Sequence, residues 1–179
     1  IVVTDPADGT VVADETLPAG VRKVRAEIAT AAEHLWSPAD PYLYDVRAEL
    51  RYGSAKPAET AGDAAVAQSQ PMDVVSSYCA FRSAEIKPDT KGGRFHLNGK
   101  PLFVKGVLDQ GYWPDGLMTA PDDEALTHDI TAMKNAGFNM LRKHIKIESA
   151  RWYYHCDRLG MLVWQDAVSG GGTDGEYNA

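Results

Sequence analysis

The chain has 179 residues and a formal net charge of -7, because 25 Asp and Glu residues outnumber 18 Lys and Arg residues. The acidic residues are spread along the sequence and the basic residues form no run, which argues against nucleic acid or an anionic membrane surface as a partner. Apolar runs stay well short of a membrane span. The chain begins at Ile1 rather than Met, so we expect its natural start to lie upstream, and the sequence predicts no cellular compartment.

The first half of the chain predicts antiparallel β-structure. Apolar and polar residues alternate with a period of two in residues 24–28, 46–50 and 75–81, which is typical of strands with one polar face. A turn at residues 5–9 separates two shorter apolar segments. Residues 53–71 are small and polar and are interpreted as a long loop. These features favour an antiparallel sandwich over the first half of the chain.

The second half changes to alternating strands and helices. Residues 94–101 resemble a short hairpin with an Asn-Gly turn, and residues 102–108 form an apolar strand. Helices are predicted from Pro121 to about Gly137 and from Ser149 to Gly160, because apolar residues recur at spacings of three and four. Strands are predicted at 138–145 and 161–164. Strands alternating with helices indicate parallel pairing with right-handed crossovers, as in a β/α barrel.

The carboxyl ends of the predicted parallel strands carry the candidate functional residues. In a β/α barrel the active site lies at these ends. The first strand delivers Asp109, with Tyr112, Trp113 and Asp115 in the loop that follows; the second delivers Arg142, His144 and Lys146; the third delivers Gln165 and Asp166. Carboxylates, cations and aromatic rings at one rim suit a polyhydroxylated ligand. We predict that five of these residues bind substrate, namely Asp109, Trp113, Arg142, His144 and Asp166.

Each candidate also has a structural interpretation that the sequence leaves open. Asp109 and Asp166 could cap the following segments or form ion pairs with Lys105 or Arg142, and Arg142 could be a buried partner of a carboxylate instead of a substrate contact. His144 could be a hydrogen-bonded structural residue, and Trp113 could pack under the rim instead of stacking on a ligand.

Other motifs indicate no cofactor. The sequence has no HExxH or CxxC pattern that would support a metal site. The glycine run at 170–172 lacks the pattern of a phosphate-binding loop and is interpreted as a loop after the third strand. The two cysteines, Cys79 and Cys156, are predicted to be buried free thiols rather than a disulfide or metal ligands.

An ordered set of short motifs resembles glycoside hydrolase family 2, the family of β-galactosidases, β-glucuronidases and β-mannosidases. Each motif alone is weak, but together they cover most of the chain from Leu35 to Asp166 in the family's order. The motifs are Leu35-Trp36-Ser37-Pro38, Pro41-Tyr42-Leu43-Tyr44, Phe81-Arg82, Phe95-His96-Leu97-Asn98-Gly99-Lys100-Pro101, Lys105-Gly106-Val107, Asp129-Ile130, Met133-Lys134, Gly137-Phe138-Asn139, Leu141-Arg142 and Cys156-Asp157-Arg158-Leu159-Gly160.

The resemblance implies a fold and a domain division. It implies a partial Ig-like β-sandwich over residues 1–88, followed by the first three β/α units of a TIM barrel over residues 89–179. We expect the first strands of the sandwich to lie upstream of Ile1.

The resemblance also implies an activity. It implies a retaining glycoside hydrolase that hydrolyses the O-glycosidic bonds of β-glycosides, with a carbohydrate substrate and no cofactor. In the family the catalytic glutamates end the fourth and seventh strands, so no catalytic residue is expected in this chain, and the chain alone is expected to be inactive. The predicted roles of Asp109, Trp113, Arg142, His144 and Asp166 are then contacts to the sugar.

Two sequence departures bear on the substrate. Arg142 and His144 are separated by one residue, whereas β-galactosidases of the family have two residues between the corresponding pair. The first strand ends Val107-Leu108-Asp109-Gln110 instead of the Asn-Arg-His run of typical β-galactosidases. Galactose is therefore not predicted as the sugar.

Two other classes of function compete with this interpretation. The chain could be a non-catalytic carbohydrate-binding or scaffold module, or another barrel enzyme that shares only the architecture. An open edge of three parallel strands also favours a homo-oligomer if the chain folds alone.

Overall fold

The computed structural model describes residues 1–17, 27, 29–31, 34–51, 71–90 and 92–168. The chain divides into two compact units, the first formed by Ile1–Leu35 with Leu43–Phe81 and the second by Trp36–Tyr42 with Arg82–Ala179. The predicted strand at 24–28 and loop at 53–71 fall largely outside the described residues, and the glycine run at 170–172 falls wholly outside them. Neither described helix has the length and apolar character needed to cross a membrane.

The first unit contains one antiparallel sheet among its described residues. The strands are β1 (Val2–Thr4), β2 (Val11–Asp14), β3 (Tyr44–Leu50) and β4 (Asp73–Cys79), in the order β2-β1-β3-β4. The predicted turn at 5–9 is confirmed, since the Gly9 amide donates to the Asp5 carbonyl at 2.9 Å. The two strands predicted at 46–50 and 75–81 are also present. That the sheet is part of a sandwich stays a prediction.

The second unit begins with a small antiparallel sheet. It contains β5 (Ala84–Lys87), β6 (Arg94–Leu97) and β7 (Lys100–Pro101), paired in that order. Asn98 and Gly99 join the last two strands with φ angles of 52° and 73°. Two consecutive residues with positive φ are the mark of a type I′ turn. The predicted Asn-Gly hairpin is therefore confirmed.

The rest of the second unit is a parallel three-stranded sheet with two helices. Its elements in chain order are β8 (Gly106–Asp109), α1 (Asp123–Asn135), β9 (Met140–Lys143), α2 (Ala150–Leu159) and β10 (Leu162–Gln165). The strand order is β10-β9-β8 and both pairings are parallel. The predicted sequence of strand, helix, strand, helix, strand is confirmed.

The parallel strands β8 and β9 begin later than the sequence predicts. The side chain of Asn139 accepts from the Lys105 amide at 2.8 Å and donates to the Phe103 carbonyl at 3.0 Å. The Lys105 carbonyl also accepts from the backbone amides of Asn139 and Met140 at 3.0 and 3.2 Å. The regular ladder between β8 and β9 therefore begins only at Gly106, after this irregular contact. The apolar residues before Gly106 predicted a longer strand, because their pattern does not reveal these hydrogen bonds of Asn139.

The ends of the helices follow their sequence signals with two exceptions, the first being that Pro121 precedes the N-cap of α1 instead of lying in its first turn. Asp122 caps α1 by accepting from the Ala125 amide at 2.8 Å, as expected for an acidic residue at a helix N-terminus. Gly160 ends α2 with a φ of 73°, a left-handed conformation that glycine adopts without steric cost. Ser149 occupies the N-cap position of α2, but its side chain makes no capping hydrogen bond.

The hydrophobic core of the second unit lies between the helices and one face of the parallel sheet. Val107 and Val163 pack against this core from the two outer strands. Its buried members are Leu126, Ile130, Leu141, Trp152, Cys156 and Met161. Alternate residues of a strand point to opposite faces, so Val107, Leu141 and Val163 define the face that the helices cover. The residues between them define the opposite face, which is called the open face below.

The motif Leu-Trp-Ser-Pro contributes the central anchor of the second unit. Trp36 is completely buried, and its indole N–H donates to the Asp157 carbonyl at 2.7 Å. Its own carbonyl accepts from the Asn98 side chain at 3.0 Å, and the Arg82 guanidinium lies 4.6 Å from its ring centroid. A buried indole with a satisfied N–H fixes the segment strongly. Residues 36–42 therefore belong to the second compact unit, while the predicted domain division at residue 88 stays a prediction.

Candidate functional site at the strand ends

The open face of the parallel sheet presents a row of three aligned residues. The register pairs Leu108 with Arg142 and Arg142 with Trp164. All three are exposed, Leu108 to 49% and Trp164 to 63%. The row follows from the two-residue period of the strands, because each member lies one position from a residue that packs on the helices. A cation between an aliphatic and an aromatic side chain therefore lies one step below the strand ends.

Arg142 and Asp166 form a forked ion pair on this face. The Arg142 Nε lies 3.1 and 3.2 Å from the two carboxylate oxygens of Asp166, and Nη2 lies 3.0 Å from Oδ2. The hydrogen bonds from Arg142 and its positive charge hold the pKa of Asp166 below the ordinary 3.8. The same contact raises the pKa of Arg142. Both groups are therefore ionised at neutral pH, and the carboxylate is held in a fixed orientation.

His144 lies next along the chain and contacts the residue that follows the first strand. Its Nδ1 is 3.1 Å from Nε2 of Gln110, and its backbone amide donates to the Asp109 carbonyl at 2.9 Å. With the Gln110 amide as donor, Nδ1 is the acceptor and the proton of a neutral ring sits on Nε2. A backbone hydrogen bond from Ile145 also lowers the pKa of Asp166, after the contribution of Arg142. Thus Arg142, His144 and Asp166 lie together, with Gln110 as a fourth member.

Asp109 lies away from these residues, on the side that faces the helices. Its Oδ2 is 2.8 Å from Nζ of Lys143, and its Oδ1 accepts from the Gly111 amide at 2.8 Å. The alternation of β8 explains this placement, since Asp109 has the same parity as Val107, which packs on the core. Asp109 does form an ion pair, but its partner is Lys143 and not Lys105 or Arg142 as the sequence suggested. The substrate-binding role predicted for Asp109 stays a prediction.

Trp113 packs under the rim. It is half-buried, contacts the hydrophobic core, and forms a two-way backbone bridge with Leu117 at 2.8 and 3.0 Å. Its indole N–H is buried and has no hydrogen-bond partner among the residues that the structure describes. The alternative of a packing role is therefore realised, and a contact with a ligand stays a prediction.

Sequence reasoning missed two groups of residues near the strand ends. The first is Gln110 and Trp164 on the open face; the period of two would have found Trp164, because it shares parity with Asp166. The second is Lys143 and Glu148, which join Asp109 and Lys146 in a set of charges behind the rim. The sequence signal for the second group is Lys143, which lies two positions after the core residue Leu141 in β9. Its side chain must therefore point towards the helices.

The described residues contain no group of three or more His, Cys, Asp or Glu side chains that could hold a metal ion. The chemistry available at the strand ends is that of hydrogen bonding and charge. A guanidinium, a carboxylate, an imidazole and an amide, with an exposed indole beside them, match the donors and acceptors of a ligand rich in hydroxyl groups.

Comparison with known protein families gives a match over the part of the chain that carries the candidate site. The family model described as "Glycosyl hydrolases family 2, TIM barrel domain" matches residues 89–173. The chain belongs to glycosyl hydrolases family 2. All five residues predicted to bind substrate, Asp109 to Asp166, lie within the matched region of this family 2 chain.

Individual relatives agree with the family assignment. A β-galactosidase of Oenococcus oeni is 31% identical over 148 residues, which cover 79% of this chain and 12% of that enzyme. A β-galactosidase of Vibrio cholerae is 30% identical over 146 residues, which cover 81% of this chain and 12% of that enzyme. The family 2 chain thus spans about an eighth of the length of these curated relatives.

A solved structure also matches. A glycosyl hydrolase family 2 member from Bacteroides cellulosilyticus aligns with 93% of this chain and 21% of its own length, at 29% identity and a TM-score of 0.70. A β-glucuronidase of Bifidobacterium dentium, solved with coumarin-3-O-glucuronide, aligns with 94% of this family 2 chain and 24% of its own length. Its TM-score is 0.72 at 24% identity, which shows a shared fold.

Proposed function

We propose that this chain contributes the sugar-contacting strand ends of a retaining β-glycoside hydrolase. One observation carries the proposal: Arg142, Asp166, His144 and Gln110 lie together at the carboxyl ends of three parallel strands. This is the edge of a β/α sheet where active sites lie. The β-galactosidase relatives and the family 2 assignment support a glycosidic substrate.

The proposed contacts follow from the chemistry of a sugar hydroxyl, which can donate and accept at once. A hydroxyl placed at the Arg142–Asp166 pair can donate to the carboxylate and accept from the guanidinium. His144 with a proton on Nε2 offers a donor on the same side, and its Nδ1 is held by Gln110. Trp164 offers an aromatic face to the apolar C–H surface of a sugar ring. Trp113 and Asp109 would then support these contacts from behind.

The proposed mechanism divides the work between this chain and other strands. Retaining hydrolysis requires two carboxyl groups about 5–5.5 Å apart, one as acid/base and one as nucleophile. We infer that those two carboxyl groups come from strands other than β8, β9 and β10. The residues of this chain would hold the sugar so that its anomeric carbon lies between the two carboxyl groups, which lowers the entropic part of the barrier.

The proposed domain arrangement is the one that the family resemblance implies. The antiparallel sheet of β1 to β4 would belong to an Ig-like sandwich within residues 1–88. The parallel sheet of β8 to β10 would form the first three strands of a TIM barrel within residues 89–179. The family model over residues 89–173 supports the second part.

The test is hydrolysis of a panel of chromogenic β-glycosides by the protein as its gene encodes it. We expect cleavage of at least one member of the panel, with the β-anomer as the first product seen by proton NMR. The variants Arg142→Gln and Asp166→Asn should each lower kcat/KM by roughly a hundredfold, because each removes a charged hydrogen-bond partner. Arg94→Gln, which removes an exposed partner of Asp89, is the matched control and should retain full activity.

Three results would contradict the proposal. The first is no cleavage of any glycoside by well-folded protein. The second is an inverted product, and the third is full activity in both strand-end variants. Tight sugar binding without cleavage would favour the alternative, a non-catalytic carbohydrate-binding module.

A further inference from the structure

A set of four charged side chains, three of them buried and Asp109 19% exposed, lies directly behind the candidate site. We call it the lysine cluster; it consists of Asp109, Lys143, Lys146 and Glu148. The Lys143 and Glu148 side chains are 1% and 8% exposed. Two lysines face two carboxylates, so the cluster is neutral overall. Buried charges are costly unless each is paired and hydrogen-bonded, so the arrangement calls for a physical explanation.

Lys143 uses its ammonium group fully within the cluster. Its Nζ lies 2.8 Å from Asp109 Oδ2 and 3.2 Å from Glu148 Oε1. On a third side it lies 4.1 Å from the centroid of the Trp152 ring, a cation–π distance. Lys143 therefore joins the end of β8 to the loop after β9 and rests on the core.

Lys146 makes a different set of contacts that reach the loop between β8 and α1. Its Nζ lies 2.7 Å from Glu148 Oε1 and donates to the Gly111 carbonyl at 2.8 Å and the Met118 carbonyl at 2.7 Å. An ammonium has three N–H groups, and all three have a partner here. Two of those partners are the backbone at the two ends of segment 111–118. These contacts hold the two ends of the segment together, and we call them the clasp.

The end of β10 is hydrogen-bonded to the same region, around Lys146 and Glu148. The side-chain amide of Gln165 donates to the Lys146 carbonyl at 2.7 Å. Its side-chain oxygen accepts from the Tyr153 hydroxyl, which in turn accepts from the Glu148 amide at 3.2 Å. The ends of β8, β9 and β10 therefore meet at Lys146 and Glu148, on the far side of the sheet from Arg142.

We propose that Lys146 is a positioning residue, which holds segment 111–118 against the ends of β9 and β10 and so fixes Gln110 relative to His144. Gln110 immediately precedes the clasped segment and supplies the contact to His144 Nδ1. The part of this proposal that concerns sugar binding rests on the proposed function. The part that concerns segment 111–118 does not.

The first test is amide hydrogen exchange of the chain. The amides of Trp113 and Leu117 are hydrogen-bonded to each other's carbonyls within the clasped segment, and the amide of Thr119, just after it, donates to the Gly116 carbonyl. In the unmodified chain they should exchange slowly, at rates close to those of β9. Lys146→Met removes the ammonium but keeps a side chain of similar length, and should speed their exchange roughly tenfold or more, because two charged hydrogen bonds are lost.

Lys134→Met is the matched control. Lys134 also donates from its ammonium to two backbone carbonyls, those of Pro38 and Leu159, but it lies at the end of α1. Its loss should leave the exchange of segment 111–118 unchanged. Fast exchange of that segment in the unmodified chain, or equal exchange in Lys146→Met and wild type, would overturn the proposal.

A double variant separates the clasp from simple charge balance. Lys146→Met leaves Asp109 and Glu148 with only Lys143, whereas Lys146→Met with Glu148→Gln restores neutrality and favours folding if the single variant fails to fold. The clasp predicts that segment 111–118 stays fast in the double variant, because the carbonyls of Gly111 and Met118 still lack a donor. Recovery of slow exchange would refute the proposal.

The second test concerns sugar binding and uses the protein as its gene encodes it. The double variant should raise KM by roughly tenfold and lower kcat less, because contacts to the bound sugar are displaced while the reacting groups remain. Lys134→Met should leave KM unchanged. A fall in kcat at constant KM would refute the positioning role. Absence of activity in the wild type would defeat the proposed function, and the exchange test would still decide the clasp.

Discussion

Arg142 and Lys143 are adjacent in β9, yet their side chains lie on opposite faces of the parallel sheet. Arg142 is exposed and holds Asp166 on the open face, whereas Lys143 is 1% exposed and holds Asp109 against the helices. The strand alternation thus gives two neighbouring cations different environments. It separates a pair that can meet a ligand from a pair that ties the strand ends to the core.

Replacing Lys143 by Met should destabilise the second unit strongly. The substitution leaves two carboxylates, Asp109 and Glu148, in a buried site with one lysine fewer. Removing one member of a buried ion pair costs about 3–5 kcal/mol. The loss should appear as a lower midpoint in urea unfolding with an unchanged slope. Lys100→Met on the exposed β7 is the control and should change stability by less than about 0.5 kcal/mol; a similar effect of both variants would contradict this account of Lys143.

The two cysteines should differ in their reactivity towards a thiol reagent. Both thiols are free; Cys156 is 1% exposed, whereas Cys79 is half-buried. Burial raises the pKa of the Cys156 thiol far above its ordinary value and that of Cys79 to a smaller degree. Since the thiolate is the reactive form, only Cys79 should react in the native state, and slowly. Urea should release the second thiol, and Cys79→Ser should abolish the native reaction; two reactive thiols in the folded chain would show that the core around Cys156 opens.

Local sequence patterns were sufficient to predict the order of elements in the second unit, because each pattern involves residues that are close together in the chain. The periods of α1 and α2, the Asn98-Gly99 turn and the glycine after α2 each depend on nearest neighbours in the chain. The lysine cluster could not be predicted in this way. Its contacts join residues up to 35 positions apart, as Lys146 does with Gly111, and only the packed sheet brings them together. The placement of Asp109 away from Arg142 is predictable in part. The alternation of β8 predicts it, but only once the bounds of the strand are known.

Breaking the ion pair of Arg142 and Asp166 should change how Asp166 titrates. The Arg142 hydrogen bonds lower the pKa of Asp166 from 3.8, so the folded state holds fewer protons than the unfolded state near that pH. The pair therefore stabilises the fold above about pH 3.8 and loses this effect as the pH falls through the lower, folded pKa. In Arg142→Gln the Asp166 pKa should rise towards 3.8, as followed by carboxyl carbon NMR. Arg94→Gln should leave the pKa of Asp166 unchanged. If the pKa of Asp166 did not rise in Arg142→Gln, other groups would be setting it.

Two glycine-to-alanine substitutions should separate backbone strain from crowding at the lysine cluster. Gly99 and Gly111 have similar φ angles, 73° and 64°. A Cβ at Gly99 would meet nothing within 4 Å, whereas one at Gly111 would lie 2.2 Å from Glu148 Oε1 and 2.8 Å from Lys146 Nζ. Gly99→Ala should therefore cost only the strain of a left-handed residue, about 1–2 kcal/mol. Gly111→Ala adds overpacking against side chains that hydrogen bonds hold in place, for a total of about 2–5 kcal/mol. Urea unfolding of both variants measures the difference; equal losses would mean that Glu148 and Lys146 can move aside freely, and the cluster would then be too loose to fix the strand ends.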